Sequence, residues 1–571
     1  MTAPAGTSAS DAACGGPRRL AALACGGAAT LFLVQPPADL WMLAWLAPVP
    51  WIAIAAAPEL PGRRPWGVLW GAGFLHWLAT IHWLRLPHPA TAIGWVALSA
   101  YLACYVPAFV WVARRLVHGR GWPLVPAATV AWVATEQLRG SVLGGFTFAA
   151  LGHTQWRWTA LIQCADAVGA VGVSGIVMAV AAAVVAAATG PAQRRLAALV
   201  TAAATLAAAL AYGGWRLLEA PPPRGEPLDV LLVQGSIDTE LKHDPAAAGD
   251  VVRHYDALTQ AGLAATPGRV PDLVVWPETM WRFGLLEIDP NETLEEPLVE
   301  QVLGPAPAGS DATERATRQA RCRTALERER LDGLAAFARR YGTTWLVGLD
   351  KQVLTPRAPA GSQSFNCGLF VAADGAPLAC YAKMHPVMFG EYVPFAERFP
   401  FLYRLTPLPG GLTAGRAPVA VTLAGQRVAV NICYETALPE AVRSLVNTLA
   451  AGGARPDVLV NLTNDGWFWG SSELDMHLTA AVFRAVEVRT PIVIAANTGF
   501  SAWIDGSGRL LDRGPRRATA TLRALVRPDG RTSPWLVAGS LAAWGCVAVA
   551  GAVTLGGLVG AAVARSAGDR A

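Results

Sequence analysis

The stretch Val428-Ala-Val-Asn431-Ile-Cys433-Tyr434-Glu435 contains the clearest indication of the fold. Its apolar, β-branched residues are typical of a buried strand. The strand ends on a thiol, at a turn where a reactive side chain can be presented. Comparable strands are predicted at 228–234, 272–276, 344–349, 367–372, 458–462, 492–496 and 502–505, with helices at 249–265, 321–341, 437–452 and 473–488. Because strands and helices alternate, the sequence predicts an α/β layered domain rather than a sandwich of strands alone.

The composition of the rest of the chain is that of a membrane protein. Of the 571 residues, 53% are hydrophobic and only 15% are charged, against about 25% charged in an ordinary soluble protein. This excludes a disordered chain, a fibrous repeat and a fully soluble enzyme. The apolar excess lies within 20–218 and 535–564, whereas 222–530 has the composition of a soluble domain. The sequence therefore predicts one large water-soluble domain inserted before the last membrane span.

About eight membrane spans are predicted, because a bilayer core of about 30 Å requires roughly 20 mostly apolar residues per helix. They lie near 20–35, 37–57, 66–83, 91–113, 123–138, 160–189, 196–213 and 535–564. The first follows Arg18 and Arg19, as in a signal peptide, but no convincing cleavage site comes after it, so it is interpreted as a span. The predicted domains are a seven-span membrane domain at 1–219, a soluble domain at 220–530, and a final span with a tail at 531–571.

The basic residues of the short loops predict the orientation, since Lys and Arg concentrate on the cytoplasmic side of a membrane. If the N-terminus is cytoplasmic, the outer loops contain only Arg85, Arg139 and Arg157, and pairs such as Arg18 and Arg19 lie inside. The soluble domain is then extracytoplasmic and both termini are cytoplasmic.

One predicted outer loop contains two opposite charges, Glu136 and Arg139, near a helix end. Charges at membrane depth are costly unless they are matched. Two interpretations stay open: the residues pair with each other and stabilise the loop, or they serve the functional site.

The nine cysteines include no CxxC pair, and four or five of them fall in apolar segments. A disulfide framework or a zinc site is therefore not expected, and most cysteines are interpreted as small apolar residues of the core.

Three strand ends carry residues suited to chemistry. Glu278 follows the strand at 272–276, Cys433 ends the strand at 428–433, and Lys383, one of only three lysines, lies in a loop with Glu391. Taken singly, these could be a turn carboxylate, a core thiol and a surface amine. Together they form a chemical set, because a thiol nucleophile needs a base and a cationic neighbour. A glutamate can take the thiol proton, and a lysine can stabilise an oxyanion as a compact point charge.

These motifs resemble the Glu-Lys-Cys triad of the nitrilase (carbon–nitrogen hydrolase) superfamily. The resemblance rests on Trp276-Pro-Glu278-Thr279, on the stretch 381–394 and on the stretch 431–435. Combined with the predicted membrane half, the chain resembles the apolipoprotein N-acyltransferases, membrane members of that superfamily that perform the last step of bacterial lipoprotein maturation. Further similarity at 135–140, 233–235, 460–468, 484–487 and 497–501 extends over nearly the whole chain.

The resemblance implies a four-layer α-β-β-α domain on the outer face of the bacterial inner membrane. It implies that Cys433 is the nucleophile, that Glu278 is the general base, and that Lys383 stabilises the oxyanion with the backbone N–H of Tyr434. The acyl donor would be a membrane phospholipid, and the acceptor would be the α-amino group of a diacylglyceryl-modified cysteine on an apolipoprotein. The lipid bilayer is an implied partner, nucleic acid is not, no cofactor is implied, and a monomer is the default expectation.

The resemblance also implies roles for residues that support the triad. Glu391 matches a second glutamate of the family that holds the site in order, and Glu435 matches an acidic position after the nucleophile. Phe389, Trp467 and Phe468 are candidates for the acyl path, although core packing would explain the last two equally well.

The sequence departs from the family pattern in two places. Pro386 follows His385, and Met388 stands where the family usually has proline, so the backbone between Lys383 and Gly390 is expected to differ from that of the family. The segment 284–320 is longer than expected and is interpreted as a surface insertion, which could be a lid, a contact with another protein or decoration.

Three alternatives are weighed against this interpretation. A membrane-tethered amidase or nitrilase would share the triad but would act on small soluble substrates in a pocket closed to lipid. A non-catalytic scaffold would require the loss of a triad member, and all three are present. A transporter would show paired charges through several spans, and only Glu136 and Arg139 resemble such a pair.

Overall fold

The computed structural model describes residues 16–219, 225–238, 241, 244–307, 311–356, 361–396, 398–405 and 410–568. The membrane half consists of α1 (Pro17–Leu33), α2 (Val49–Ala56), α3 (Pro65–Thr80), α4 (Thr91–Ala103), α5 (Tyr105–Arg114), α6 (Leu124–Arg139), α7 (Ala165–Thr189) and α8 (Ala192–Leu218). Each predicted span of this half coincides with one or two of these helices. They pack around one apolar core that is rich in alanine, so that helices approach closely.

Three helical segments within the described residues are long and apolar enough to cross a membrane: Thr91–Gly119, Ala165–Thr189 and Ala192–Leu218. The predicted spans at 20–35, 37–57, 66–83 and 123–138 form helices of 8 to 17 residues, and the last predicted span falls in the helix Leu541–Gly568. The number of membrane spans stays a prediction. The predicted span at 37–57 is divided into a 3-10 turn, Trp41–Trp45, and α2, because Pro48 and Pro50 can only be accommodated at a helix start. Within α7, Gly169 has a φ of 69°, which interrupts the helix.

The predicted α/β domain contains twelve described strands in two sheets. They are β1 (Leu228–Gln234), β2 (Leu273–Ile288), β3 (Thr344–Leu354), β4 (Ser362–Val371), β5 (Pro377–Ala382), β6 (Ala420–Leu423), β7 (Gln426–Ile432), β8 (Val458–Thr463), β9 (Ile492–Ala496), β10 (Ala502–Ile504), β11 (Leu510–Arg513) and β12 (Ala520–Val526). The strand orders are β12-β1-β2-β3-β4-β5 and β11-β10-β9-β8-β7-β6. β1, β2 and β3 run parallel, as do β7, β8 and β9.

The two sheets pack face to face, and helices cover both outer faces. The central core contains apolar side chains from both sheets, such as Val230 and Phe370 from the first and Val430 and Val460 from the second. The first sheet is covered by α9 (Ala248–Ala264) and α11 (Ala312–Tyr341), and the second by α12 (Pro439–Ala451) and α13 (Glu473–Val488). The expected α-β-β-α layering is therefore confirmed.

The structure corrects several boundaries in this domain. The strands β5, β6, β11 and β12 were not predicted, because they lie at or near sheet edges and lack a continuous apolar run. The segment 284–320 contains regular structure: β2 continues to Ile288, α10 (Glu296–Leu303) follows, and α11 already begins at Ala312. Its interpretation as an insertion relative to the family stays a prediction. Ile288, Leu294, Val299 and Cys322 bury one another in a small core of their own, which explains why this segment is folded.

Buried ion pairs join the two halves of the chain. Asp166 of α7 accepts hydrogen bonds from Arg216 of α8 at 2.7 Å and from Arg489 of the α/β domain at 2.8 Å. The backbone N–H of Ala170 donates to Glu487 of α13 at 2.8 Å. A short helix, Pro534–Ala538, then leads to α14 (Leu541–Gly568). Because these charges are shielded from water and mutually paired, the α/β domain has a defined position on the membrane helices.

Candidate active site

The nucleophile candidate lies at a sharp turn after a central strand. β7 ends at Ile432, and the next residue, Cys433, has a φ of 53° and begins the 3-10 turn Cys433–Ala437. Left-handed backbone is unfavourable for a residue with a Cβ and persists only where surrounding contacts hold it. Here the Cys433 carbonyl accepts hydrogen bonds from Asn461 Nδ2 at 3.2 Å and from His477 Nε2 at 3.1 Å.

Glu278 is presented by a bulge in β2. Trp276 pairs with Val347 and Trp281 pairs with Leu349, so that the four residues between the tryptophans lie opposite Gly348 alone. A Cβ at Gly348 would lie 2.3 Å from the Pro277 carbonyl oxygen, so only glycine permits this close approach. The bulge directs the carboxylate of Glu278 toward the middle of β4 and the end of β8.

The Glu278 carboxylate is buried and held at both oxygens. Asn366 Nδ2 of β4 donates to Oε1 at 2.6 Å, and the backbone N–H of Asn464 donates to Oε2 at 3.0 Å. The Lys383 ammonium lies 3.6 Å from Oε1. The base candidate is therefore fixed in one orientation beside the lysine.

Lys383 is a buried cation, with only 1% of its side chain exposed. Its ammonium donates to Glu391 Oε1 at 2.6 Å, and the other oxygen of Glu391 accepts the backbone N–H of Val387 at 2.7 Å. Burial opposes the charge, but the attraction of Glu391 and Glu278 outweighs it and raises the pKa of Lys383 above its ordinary value. The lysine therefore stays charged throughout the physiological pH range, as an oxyanion-stabilising group requires.

Glu435 connects the lysine loop to the nucleophile strand. Its Oε1 accepts the backbone N–H groups of Met384 and His385 at 2.7 and 2.9 Å, and its Oε2 accepts that of Ile432 at 2.7 Å. The Tyr381 hydroxyl donates to both oxygens at 2.8 and 2.9 Å. Burial disfavours the carboxylate, but the His385 ring, whose Nδ1 lies 3.4 Å from Oε1, together with these donors and the Lys383 charge, outweighs it and lowers the pKa of Glu435. This carboxylate therefore holds the lysine loop in register despite Pro386 and Met388.

The Cys433 thiol is surrounded by the charges of Glu278 and Lys383. Burial raises the pKa of Cys433 well above its ordinary value, Glu278 raises it further, and Lys383 opposes both effects. The thiol is therefore protonated at rest. Nucleophilic attack from this site requires a base that removes the proton as the sulfur reacts, and Glu278 is the neighbouring carboxylate.

The turn Cys433–Ala437, which carries the candidate nucleophile and is called the nucleophile turn below, packs directly on the membrane half. The Tyr434 hydroxyl donates to the Gly145 carbonyl at 2.9 Å, and the Thr147 hydroxyl donates to the Ala437 carbonyl at 2.7 Å. The ring of Phe468 meets that of Trp83 edge to face, with 5.0 Å between centroids. The site therefore lies at the boundary between the soluble domain and the membrane helices.

Glu136 and Arg139 stabilise the loop that reaches this boundary. Their closest approach is 3.9 Å, and each makes shorter contacts with the loop or with a neighbouring helix. Arg139 donates to the Phe148 carbonyl at 2.7 Å, while Glu136 accepts the backbone N–H of Leu151 at 3.1 Å and the Ser174 hydroxyl at 2.5 Å. The pair thus positions the loop at 145–151, which contacts Tyr434 through Gly145, and supports the site indirectly.

The three candidates for the acyl path differ in their surroundings. Phe389 is 62% exposed, with a φ of 62°, whereas Trp467 and Phe468 are half-buried, and Phe468 packs in the core that joins the two halves. Three further phenylalanines near Phe389, which were not singled out from the sequence, are also exposed: Phe395, Phe399 and Phe401.

Several polar contacts of the site were missed from the sequence. Asn366, Asn461, Asn464 and His477 all contact the candidate base or the nucleophile turn, and all are buried. A signal was available for two of them, because an asparagine inside a buried apolar strand is unusual. Asn366 and Asn461 occupy such positions in β4 and β8.

Comparisons with known protein families and curated relatives agree with this geometry. The apolipoprotein N-acyltransferase N-terminal domain family matches residues 27–183, and the carbon-nitrogen hydrolase family matches residues 245–533. A protein of Geobacter metallireducens named apolipoprotein N-acyltransferase is 31% identical over 94% of this chain and 95% of its own. One of the same name from Rhodopirellula baltica is 30% identical over 95% of this chain and 97% of its own.

The chain belongs to the apolipoprotein N-acyltransferase family. It is therefore an acyltransferase of the carbon–nitrogen hydrolase superfamily, and its long apolar helices make it a membrane protein. Among solved structures, an amidase from Nesterenkonia sp. AN1 aligns with 55% of this chain and 94% of its own, at 19% identity and a TM-score of 0.32. In this chain the match to the N-terminal domain family precedes the match to the carbon-nitrogen hydrolase family, and the contacts of Tyr434 with Gly145 and of Phe468 with Trp83 join the two matched regions.

Proposed function

We propose that this enzyme transfers a fatty acyl chain from a membrane phospholipid to the α-amino group of a diacylglyceryl-modified N-terminal cysteine of apolipoproteins. The names of its relatives support the acceptor class. The observation that carries the proposal is the contact of the nucleophile turn with the membrane half, through Tyr434 and Gly145 and through Ala437 and Thr147. Since both substrates are anchored in the bilayer, the reacting thiol must be reached at membrane level.

In the first half-reaction, Glu278 takes the Cys433 proton while the sulfur attacks the ester carbonyl carbon of the phospholipid. The carbonyl oxygen becomes an oxyanion, which is stabilised by the Lys383 ammonium and the backbone N–H of Tyr434. The ester C–O bond then breaks, and the proton passes from Glu278 to the departing oxygen. A lysophospholipid leaves, and the acyl chain remains on Cys433 as a thioester.

In the second half-reaction, the neutral α-amino group attacks the thioester carbonyl while Glu278 accepts one of its protons. The same two groups stabilise the second oxyanion. The C–S bond breaks, and the proton returns from Glu278 to the sulfur, so the enzyme is regenerated and the acceptor carries an amide. Glu391 and Glu435 hold the lysine loop in place, and the scheme requires no cofactor.

Water must be kept from the thioester, since hydrolysis would turn the enzyme into a phospholipase. We assign the acyl path to apolar residues beside the site, with Phe389, Trp467 and Phe468 as its lining. The exposure of Phe389 and the packing of Phe468 on Trp83 support a path that leads from the thiol to the lipid phase.

The same proposal includes the topology and domain limits. Eight spans, with residues 220–530 on the extracytoplasmic face and both termini in the cytoplasm, would bring the site to the leaflet where diacylglyceryl lipoproteins are exposed in the inner membrane. We propose a membrane domain at 1–219, a catalytic domain at 220–530, a final span with its tail at 531–571, and a monomeric enzyme. Reporter fusions at the loops around 60 and 115 test the orientation, since both loops should be cytoplasmic.

Intact mass spectrometry after incubation with phospholipid tests the chemistry. We expect the wild type to gain the mass of one fatty acyl chain, removable by hydroxylamine, and Cys433→Ala to gain none. Cys322→Ala, which changes a buried thiol in the small core outside the site, should acquire the adduct normally. Adding a diacylglyceryl-cysteine peptide should move the acyl chain onto the peptide as a hydroxylamine-stable amide. No adduct, together with ammonia release from simple amides, would refute the proposal in favour of a tethered amidase.

A further inference from the structure

The contacts of the Cys433 carbonyl bear on how the oxyanion site is built. This oxygen has two donors from elements behind the nucleophile turn: Asn461 Nδ2 of β8 at 3.2 Å and His477 Nε2 of α13 at 3.1 Å. Both side chains are buried. Since the nucleophile turn has left-handed backbone at Cys433, these donors oppose its relaxation.

The second ring nitrogen of His477 is engaged by an aspartate. Nδ1 lies 3.2 Å from Asp465 Oδ1, which also accepts the hydroxyl of Thr463 at 2.7 Å. Gly499 leaves room for this carboxylate, because a Cβ there would lie 2.0 Å from Asp465 Oδ2. Both ring nitrogens of His477 therefore face oxygen acceptors, and the ring satisfies both only when it carries two protons.

The electrostatics agree with a doubly protonated ring. Burial disfavours the charge on His477, but the attraction of Asp465 and its hydrogen bond outweigh this and raise the pKa of His477 to about 9. Glu473 completes the cluster, and its ligand atom lies within 4.8 Å of those of the other two residues. Burial and the Asp465 charge raise the pKa of Glu473 well above its ordinary value, so it is protonated.

The direction of the Cys433 carbonyl determines the direction of another group. A peptide unit is planar and trans, so its C=O and N–H point to opposite sides. The carbonyl of Cys433 and the N–H of Tyr434 belong to the same peptide. Donors that hold the carbonyl toward α13 and β8 therefore hold the Tyr434 N–H toward the opposite side, where the thiol and Lys383 act on the substrate.

We propose that Asp465 and His477 form a positioning dyad that fixes the Cys433–Tyr434 peptide, so that the Tyr434 N–H is directed at the oxyanion. The dyad touches neither the substrate nor the reacting atoms. It acts through one hydrogen bond to the nucleophile's own carbonyl, with Asn461 as the second support. The inference rests on the proposed function, in which Cys433 forms the thioester and the Tyr434 N–H stabilises the oxyanion.

The test compares two reactions of the same thiol. Acyl transfer from phospholipid to a diacylglyceryl-cysteine peptide passes through an oxyanion, whereas alkylation of Cys433 by iodoacetamide is a displacement at a saturated carbon and forms none. Removal of one oxyanion donor typically costs about 100-fold to 1000-fold in rate. We expect His477→Leu to lower acyl transfer about 100-fold, with the alkylation rate within about threefold of wild type.

A conservative variant and a matched control accompany it. His477→Gln keeps an N–H donor at the end of its side chain, and we expect it to recover at least about tenfold of the activity that His477→Leu loses. It also keeps the test valid if His477→Leu fails to fold. His254→Leu removes a similar bond from a histidine to a backbone carbonyl, that of Gly235 at 2.8 Å, and should leave both reactions unchanged.

Three results would overturn the dyad. The first is unchanged acyl transfer in His477→Leu. The second is a parallel loss of acyl transfer and alkylation, which indicates a merely structural role. The third is a Gln variant as impaired as the Leu variant. A wild-type enzyme that forms no acyl adduct at all would instead refute the proposed function, so the two failures are distinguishable.

Discussion

The carboxylate of Glu435 should contribute both to stability and to the rate of acyl transfer, and Glu435→Gln isolates its charge and its second acceptor oxygen. The side chain is 2% exposed and accepts three backbone N–H groups and one hydroxyl. Glutamine has nearly the same shape but only one acceptor oxygen, since its second terminal atom is a donor. Therefore either the N–H groups of Met384 and His385 or the N–H of Ile432 must lose their acceptor.

The magnitude follows from the least costly orientation of the amide. If the glutamine oxygen keeps the N–H groups of Met384 and His385, its NH₂ group faces the N–H of Ile432. An unpaired buried N–H costs about 1–3 kcal/mol, and the remaining hydrogen bonds lose their charge-assisted strength, which is roughly twice that of neutral ones. We expect a loss of about 3 kcal/mol, equivalent to about 5 °C in the unfolding midpoint. Acyl transfer should fall at least about tenfold, because the loop that carries Lys383 is released.

Thermal unfolding in detergent at several pH values is the assay. Because the pKa of Glu435 is lowered in the folded protein, its carboxylate stabilises the fold above the ordinary glutamate pKa of about 4.3, and this contribution is lost as the pH falls below it. The gap between wild type and Glu435→Gln should therefore shrink in acid. Glu300→Gln, at an exposed position of α10, should change the midpoint by less than about 1 °C. A midpoint of Glu435→Gln equal to that of this control would refute the reasoning.

Three further perturbations test other parts of the structure. Asp166→Asn should destabilise the protein by about 3–5 kcal/mol, because Arg489 loses its buried counter-charge; thermal unfolding measures this. Gly348→Ala should cost about 1–3 kcal/mol by overpacking and slow acyl transfer more than about tenfold, since the new Cβ would lie 2.5 Å from the Cα of Glu278. The pKa of His477 is raised to about 9, so its protonation contributes up to about 3 kcal/mol to the free energy of unfolding. This contribution is fully present below pH about 6.5 and is lost as the pH rises through about 9. His477→Gln should lack this alkaline loss of stability.

The first two of these substitutions each have a matched control. Asp39→Asn breaks a partly exposed ion pair with Arg157 and should cost less than about 1 kcal/mol. Gly249→Ala adds a methyl group to the first turn of α9, where only the flexible end of Arg253 is near, and should stabilise by up to about 1 kcal/mol. If Asp166→Asn is no worse than Asp39→Asn, or if Gly348→Ala leaves the rate unchanged, the role given to that position is wrong.

The sequence allowed prediction of much of the fold because the central strands are short, apolar and bounded by turns. The bounds of β1 and β9 were predicted to the residue, and those of β7 and β8 within two. Edge strands such as β6 and β11 could not be recognised, since one side of an edge strand faces solvent and its pattern resembles that of a loop. The start of α11 was also missed. Its first turns are highly charged and resemble a surface segment, and only the structure shows that they cover a small apolar core.

The local sequence alone determined where most of the central strands lie and which residues carry a thiol, an amine and a carboxylate suited to the chemistry. Only the tertiary structure decided how those groups are held. The Glu278 carboxylate accepts hydrogen bonds from Asn366 and from the backbone of Asn464, which lie 88 and 186 residues further along the chain. Glu435 accepts from the backbone of Met384, which lies 51 residues before Glu435. The physical reason is that strand formation depends on periodic neighbours within a few residues. A buried polar group instead takes its partner from whichever segment the packing of the two sheets brings alongside.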